Sequence, residues 1–254
     1  MGRGRLIRMT APEAPRATRH IAEKFQDQTL LIDADDTLWQ NNVYFERAIA
    51  AFISYLNHET MTAEEVRQTL NEVEHENVRK HGYGVASFQR ALVTCFERLS
   101  PRPATAEHHA QIQNFAASII ASNIELLDGV AHALPQLASR HRLILMTKGN
   151  HSEQSDKVAR SGLLPFFSAV EIPAEKHPDA YREVCSRHGL NHYQTWMIGN
   201  SPRSDINPAI AAGLHAVYIH HPDTWVLEHE SMTTAPEGQH LLEIQQFGEL
   251  LHWF

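Results

Sequence analysis

LLIDADDTLW, residues Leu30–Trp39, is the stretch that decides how the rest of the chain folds. Its apolar start reads as a buried strand, and the chain presents Asp33, Asp35 and Asp36 where that strand ends. Open α/β sheets bind ligands just beyond the carboxyl ends of their strands. Carboxylates crowded together there raise one another's pKa, which is costly. A bound cation, or a reaction needing one nucleophilic and one proton-donating carboxylate, justifies such a cluster.

Downstream of this strand the hydrophobic period becomes helical. Phe45, Ala48, Ile49, Phe52, Ile53 and Leu56 recur at helical spacing, as do Phe88, Ala91, Leu92, Cys95, Phe96 and Leu99. Thr62 is placed to cap a helix opened by Ala63-Glu64-Glu65, and Ile112, Phe115, Ala116, Ile119 and Ile120 mark a fourth. These helices form an insertion over residues 43–125. Alternation then resumes, with strands at Arg142–Met146, Ala169–Ile172, Thr195–Ile198 and His215–Ile219. Helices at Ser152–Ser161, Asp179–His188 and Asn207–Ala212 lie between them, closed by Gly162, Gly189 and Gly213. The pattern predicts a parallel sheet covered on both faces. The strand at residues 29–34 must belong to that sheet. The core is therefore expected over residues 28–42 and 126–254, with a site where the inserted helices face the strand ends.

Bulk properties narrow the function. The 254 residues are 43% hydrophobic and 20% charged, enough to bury a large core. A formal charge of −8 argues against a broad nucleic-acid surface. No apolar run approaches the roughly 18 residues of a membrane span. Cys95 and Cys185 stand far apart, outside any metal-ligand spacing, and read as thiols in a reducing cytosol. The 18 histidines are scattered, with neither HExxH nor zinc-type Cys/His spacing. Residues 1–27, which begin with an Arg-rich stretch, read as a disordered arm. The expected setting is cytoplasmic, as a monomer or homodimer, without nucleic-acid or membrane partners. The apolar stretch Leu241–Phe254 packs either on its own core or between subunits.

Four groups gather at the strand ends: Asp33, Asp35 and Thr37; Thr147-Lys148-Gly149-Asn150; Lys176; and Gly199-Asn200-Ser201-Pro202-Arg203-Ser204-Asp205. They supply a nucleophile, an acid/base, donors for an anion and oxygen ligands for a hard cation, the inventory of phosphoryl transfer to an aspartate. In this order DADDT, Thr147, Lys176 and GNSPRSD resemble the four motifs of the haloacid dehalogenase-like hydrolase superfamily, over residues 28–222.

The resemblance implies an α/β fold, a Rossmann-like parallel sheet core with an inserted α-helical cap of the C1 type. It implies a Mg²⁺-dependent phosphatase that hydrolyses a small phosphorylated metabolite through an aspartyl-phosphate. Asp33 would be the nucleophile, and Asp35 the acid that protonates the leaving alkoxide and then activates water. Thr147 and Lys176 would bind the phosphoryl oxygens, with Lys148 a further candidate. Mg²⁺ would be held by Asp33, the backbone carbonyl of Asp35, Asn200 and Asp205. Asn200 stands where the family usually places aspartate, which implies weaker Mg²⁺ binding. A phosphomutase uses the same two aspartates, whereas the haloacid dehalogenase branch lacks the second one. A catalytically weakened regulatory or binding module is the non-enzymatic alternative, and Asn200 is the feature that favours it. The Lys80-His81-Gly82-Tyr83-Gly84 loop is polar and glycine-punctuated, and able to reach the site.

Overall fold

Thr29–Ile32 forms the first strand (β1), and it stands inside a six-stranded sheet rather than at an edge. The computed structural model describes residues 24–254, so most of the expected N-terminal arm lies outside the described residues. The remaining strands are β2 (Arg142–Met146), β3 (Ala169–Glu171), β4 (Thr195–Gly199), β5 (His215–Ile219) and β6 (Leu241–Ile244). Their order is β3-β2-β1-β4-β5-β6, and every neighbouring pair is parallel. The chain fills one side of β1 with β2 and β3, then crosses to the other side with β4. That reversal opens a crevice at the carboxyl ends of β1 and β4, where ligands bind in sheets of this kind.

Alternation along the strands divides the core. Leu30 and Ile32 point to one face with Leu143, Leu145, Trp196 and Ile198; Leu31 points to the other with Ile144, Met146 and Met197. The first face is covered by α5 (Val130–Ala138) and the C-terminal residues Phe247, Leu250 and Phe254. The second is covered by α7 (Pro178–His188) and α8 (Asn207–Ala211). The stretch Leu241–Phe254 thus packs on its own core. The expected arm ends earlier than residue 27: the Phe25 N–H donates to Trp253 O at 2.8 Å, and its ring lies 4.7 Å from that of Trp196.

Between β1 and α5 run α1 (Asn42–Leu56), α2 (Ala63–His81), α3 (Val85–Leu99) and α4 (Ala106–Ile120). They share a separate apolar cluster that includes Phe52, Leu70, Phe88, Leu92, Phe96 and Ile112. Thr62 caps α2 as the sequence indicates: its side chain accepts from Glu65 N–H, and the Glu65 carboxylate accepts from Thr62 N–H at 2.7 Å. The two connections to the sheet run side by side. Gln40 N–H donates to Glu125 O at 2.9 Å and Leu127 N–H to Leu38 O at 3.0 Å, an antiparallel ribbon centred on Trp39 and Leu126. The last core helix before β3 is α6 (His151–Ser161), which follows β2 and faces the insertion.

Candidate active site

The turn after β1 is shaped by Asp36. It adopts the left-handed conformation (φ 59°), which aspartate tolerates better than most residues. Its carboxylate accepts from Asn41 N–H at 2.8 Å and Asn42 N–H at 3.1 Å, anchoring the start of α1. Burial pushes its carboxyl up to about 7. Asp36 builds the loop rather than facing the reaction.

Asp33 leaves the end of β1 almost fully buried. Lys176 Nζ, from the loop after β3, lies 2.5 Å from its Oδ1 and 2.7 Å from Asp205 Oδ1. Burial lifts the Asp33 carboxyl to about 7, with the Lys176 charge opposing and Asp205 reinforcing. Lys176 is itself buried, which favours its neutral form, yet Asp205 and Asp33 hold its pKa above the ordinary value. The second Asp205 oxygen accepts from Ser201 N–H at 3.0 Å. A Cβ at Gly199 would lie 2.2 Å from that oxygen, so the residue that ends β4 has to be glycine.

Asn200 completes the floor. Its Nδ2 donates to Thr224 Oγ1 at 3.0 Å, which turns Oδ1 towards the Thr37 hydroxyl 3.3 Å away. The same hydroxyl lies 3.2 Å from Asp33 Oδ2. Among the described residues no three His, Cys, Asp or Glu side chains cluster as a metal site. The converging oxygens are instead the Asp33 and Asp205 carboxylates and the Asn200 amide oxygen, hard oxygens of the kind that suit Mg²⁺. The residues present fit such an ion.

Asp35 is held very differently. Lys157 Nζ lies 2.9 and 2.8 Å from its two oxygens, Trp39 Nε1 donates to Oδ1 at 2.7 Å, and Gln154 Nε2 donates to Oδ2 at 3.0 Å. Burial works against the charge, but Lys157 and these donors keep the carboxyl below its usual range. Thr147, at the end of β2, donates to Gln154 Oε1 at 3.3 Å, so Gln154 links the hydroxyl to Asp35.

Lys148 turns away from Asp33. Its Nζ donates to Glu228 Oε1 at 2.6 Å, Ser204 Oγ at 2.7 Å and Tyr83 Oη at 3.0 Å. Glu228 also accepts from Ser201 and Ser204, and despite burial Lys148 keeps it below the ordinary glutamate value. The structure thus sets Lys176, not Lys148, beside Asp33. Tyr83 carries the α2–α3 loop to the site.

All seven expected site residues line one cavity of about 460 Å³, whose opposite wall comes from α1, α2 and α3. Sequence reasoning missed Gln154, Lys157, Thr224 and Glu228. The first two lie one helical turn apart on α6, but their meaning comes only from Asp35, far back in the chain. Glu228 and Thr224 sit in an irregular segment with no pattern to single them out.

A family model described as haloacid dehalogenase-like hydrolase matches residues 28–213. The chain belongs to this family. Among solved structures, a haloacid dehalogenase-like family hydrolase from Xanthomonas campestris superposes with a TM-score of 0.73 at 27% identity, covering 88% of this chain and 92% of that one. The putative hydrolase YfnB from Bacillus subtilis, solved bound to magnesium, superposes at 0.61 with 19% identity over 89% and 98% of the two chains, and shows the shared fold. N-acylneuraminate-9-phosphatase from Mus musculus is 28% identical over 96 residues, 36% of this chain and 39% of that protein. The chain therefore spans about two fifths of the length of the curated relatives it matches. As a haloacid dehalogenase-like hydrolase it is an enzyme, and the Asp33 cluster is its candidate active site.

Proposed function

We propose that this hydrolase is a Mg²⁺-dependent phosphomonoesterase that acts on a small phosphorylated metabolite through an aspartyl-phosphate. The observation that carries the reading is the buried Asp33–Lys176–Asp205 triad with Asp35 two residues away in a separate set of donors. Asp33 would attack phosphorus as the ester P–O bond breaks, and Asp35 would give its proton to the departing alkoxide. Water would then attack the phosphorus of the acyl-phosphate, with Asp35 taking its proton. Lys176 and Thr147 would hold the phosphoryl oxygens and screen the charge that opposes attack by a carboxylate. Asp33, the Asp35 carbonyl, Asn200 and Asp205 would hold Mg²⁺, which when bound supplies further charge neutralisation at the phosphoryl group.

The relatives named as phosphatases support this reading, as does the cavity of about 460 Å³ between the strand ends and the inserted helices, a size that suits a small metabolite. In this proposal neither nucleic acid nor membrane is a partner, and the enzyme works in the cytoplasm as a monomer or homodimer. No described helix is long and apolar enough to cross a membrane. The test is hydrolysis of p-nitrophenyl phosphate with and without Mg²⁺. We expect turnover that requires the metal and that Asp33→Asn abolishes; metal-independent turnover, or turnover surviving that substitution, would sink the reading.

A further inference from the structure

Asn200 differs from a carboxylate in one way that matters for a cation. Its amide oxygen accepts and its amide nitrogen only donates, so the group can ligate in one of its two orientations. A carboxylate presents an oxygen whichever way round it sits. Turned over, Asn200 would aim its NH₂ at Asp33 and Thr37 and repel a cation. Either orientation finds a partner on that side. The Thr37 hydroxyl can donate to the amide oxygen 3.3 Å away, or give its proton to Asp33 Oδ2 at 3.2 Å and accept from an NH₂. The choice therefore falls to the other side of the amide, where Thr224 Oγ1 lies 3.0 Å from Nδ2.

Thr224 decides the orientation because its own proton is already committed. It closes the turn after β5, where its hydroxyl donates to His221 O at 3.1 Å and its N–H points to the same carbonyl at 3.4 Å. The turn is also held from outside: Asn42 Nδ2, from the first residue of α1, donates to Asp223 O at 2.8 Å. With its proton on His221 O, Thr224 Oγ1 can only accept, and the atom facing it must be the amide nitrogen. An amide oxygen there would set two acceptors against each other, between side chains of residues only 5% and 8% exposed. Groups behind a metal ligand commonly fix its orientation in this way. We propose that Thr224 is the positioning residue for Mg²⁺ at Asn200. It keeps the amide oxygen towards the site, a task that an aspartate at position 200 would not require. This rests on the Mg²⁺ part of the reading above and not on which phosphate ester is cleaved.

The test is a double-substitution cycle read by calorimetric titration of the full chain with Mg²⁺, without substrate. Thr224→Val keeps the shape and removes the acceptor. It should weaken Mg²⁺ binding about fivefold, the worth of one hydrogen bond, and Thr224→Ser should restore it. In the Asn200→Asp background the same Thr224→Val should change affinity by less than about twofold, because a carboxylate needs no orienting. A purely structural role, through the His221 turn alone, predicts equal losses in the two backgrounds. Melting curves confirm that each variant is folded, and Thr224→Ala, which also lacks the acceptor, repeats the cycle if the valine variant is not. Equal losses would overturn the proposal, as would unchanged affinity in Thr224→Val or no recovery in Thr224→Ser. An unmodified protein that binds no Mg²⁺ would overturn the Mg²⁺ reading and this proposal with it, whereas measurable binding with equal losses would overturn this proposal alone.

Discussion

Asp33 and Asp35 are two positions apart, and the protein treats them in opposite ways. Burial carries Asp33 up to about 7, whereas Lys157, Trp39 and Gln154 hold Asp35 below the ordinary carboxylate range. In the proposed mechanism Asp35 protonates an alkoxide, a task poorly served by a cation at 2.8 Å. Lys157→Met removes that cation, raises the Asp35 pKa and keeps its acid form populated to higher pH. The alkaline limb of kcat/KM should therefore move upward in a pH–rate profile; an unmoved limb would separate Lys157 from the acid's titration.

Glu74 gives a second test at this scale. Its carboxyl is raised from 4.5 to about 7 by burial, with Arg67 opposing and Glu46 adding to the rise. Below pH 4.5 it is protonated in both folded and unfolded chains and contributes no difference. Between 4.5 and 7 the unfolded chain ionises first, so the folded state loses stability as pH rises, on the order of 3 kcal/mol once above 7. Glu74→Gln should cancel that loss. In urea unfolding, the variant should match the wild type near pH 4.5 and exceed it increasingly up to pH 8; a constant difference would show that Glu74 does not titrate with folding.

At the scale of elements, α6 ties the insertion to the sheet through a single stripe. Glu153, Lys157 and Arg160 fall on successive turns of one face. Glu153 accepts from Val85 N–H at 3.0 Å, at the start of α3, where Gly84 offers no capping side chain. Arg160 donates to Ser122 O at 2.5 Å, just past the end of α4. A carboxylate thus meets the positive end of one helix and a guanidinium lies near the negative end of another. Glu153→Ala should cost about 1 kcal/mol in thermal unfolding. It should also speed amide exchange in the first turn of α3 more than elsewhere, and uniform exchange would deny it a capping role. The helix spans themselves were legible from periodicity, and α1, α3 and α4 lie where their apolar repeats predict. α5 was not, because Pro135 interrupts a pattern that Val130, Ala133, Leu134 and Leu137 otherwise complete. β6 pairs with β5 but is short and lacks alternation. The stripe on α6 was illegible for another reason: ordinary surface charges acquire meaning only from partners distant in the chain.

At the scale of the molecule, β1 is bordered by β2 and β4, so every residue that ends those strands opens onto one crevice. This is why Asp33, Thr147 and the Gly199–Asp205 segment could be gathered from sequence before their geometry was known: parallel strands align their ends. Lys176 follows from the same rule. Lys148 does not, because the choice between Lys148 and Lys176 depends on Glu228, which pulls Lys148 aside from a segment far along the chain.

The paired connections at Gln40 and Glu125 carry a consequence of their own. The insertion leaves and rejoins the sheet through two segments already hydrogen-bonded to each other, so its ends meet like the prongs of a plug. A short Gly/Ser turn can then replace residues 43–123 without stretching any strand. The shortened chain should still unfold cooperatively with its α/β circular dichroism intact, whereas an aggregated or molten product would show that the socket needs its plug. If it folds, helical inserts become interchangeable parts, and new cavity walls can be fitted onto unchanged strand-end aspartates.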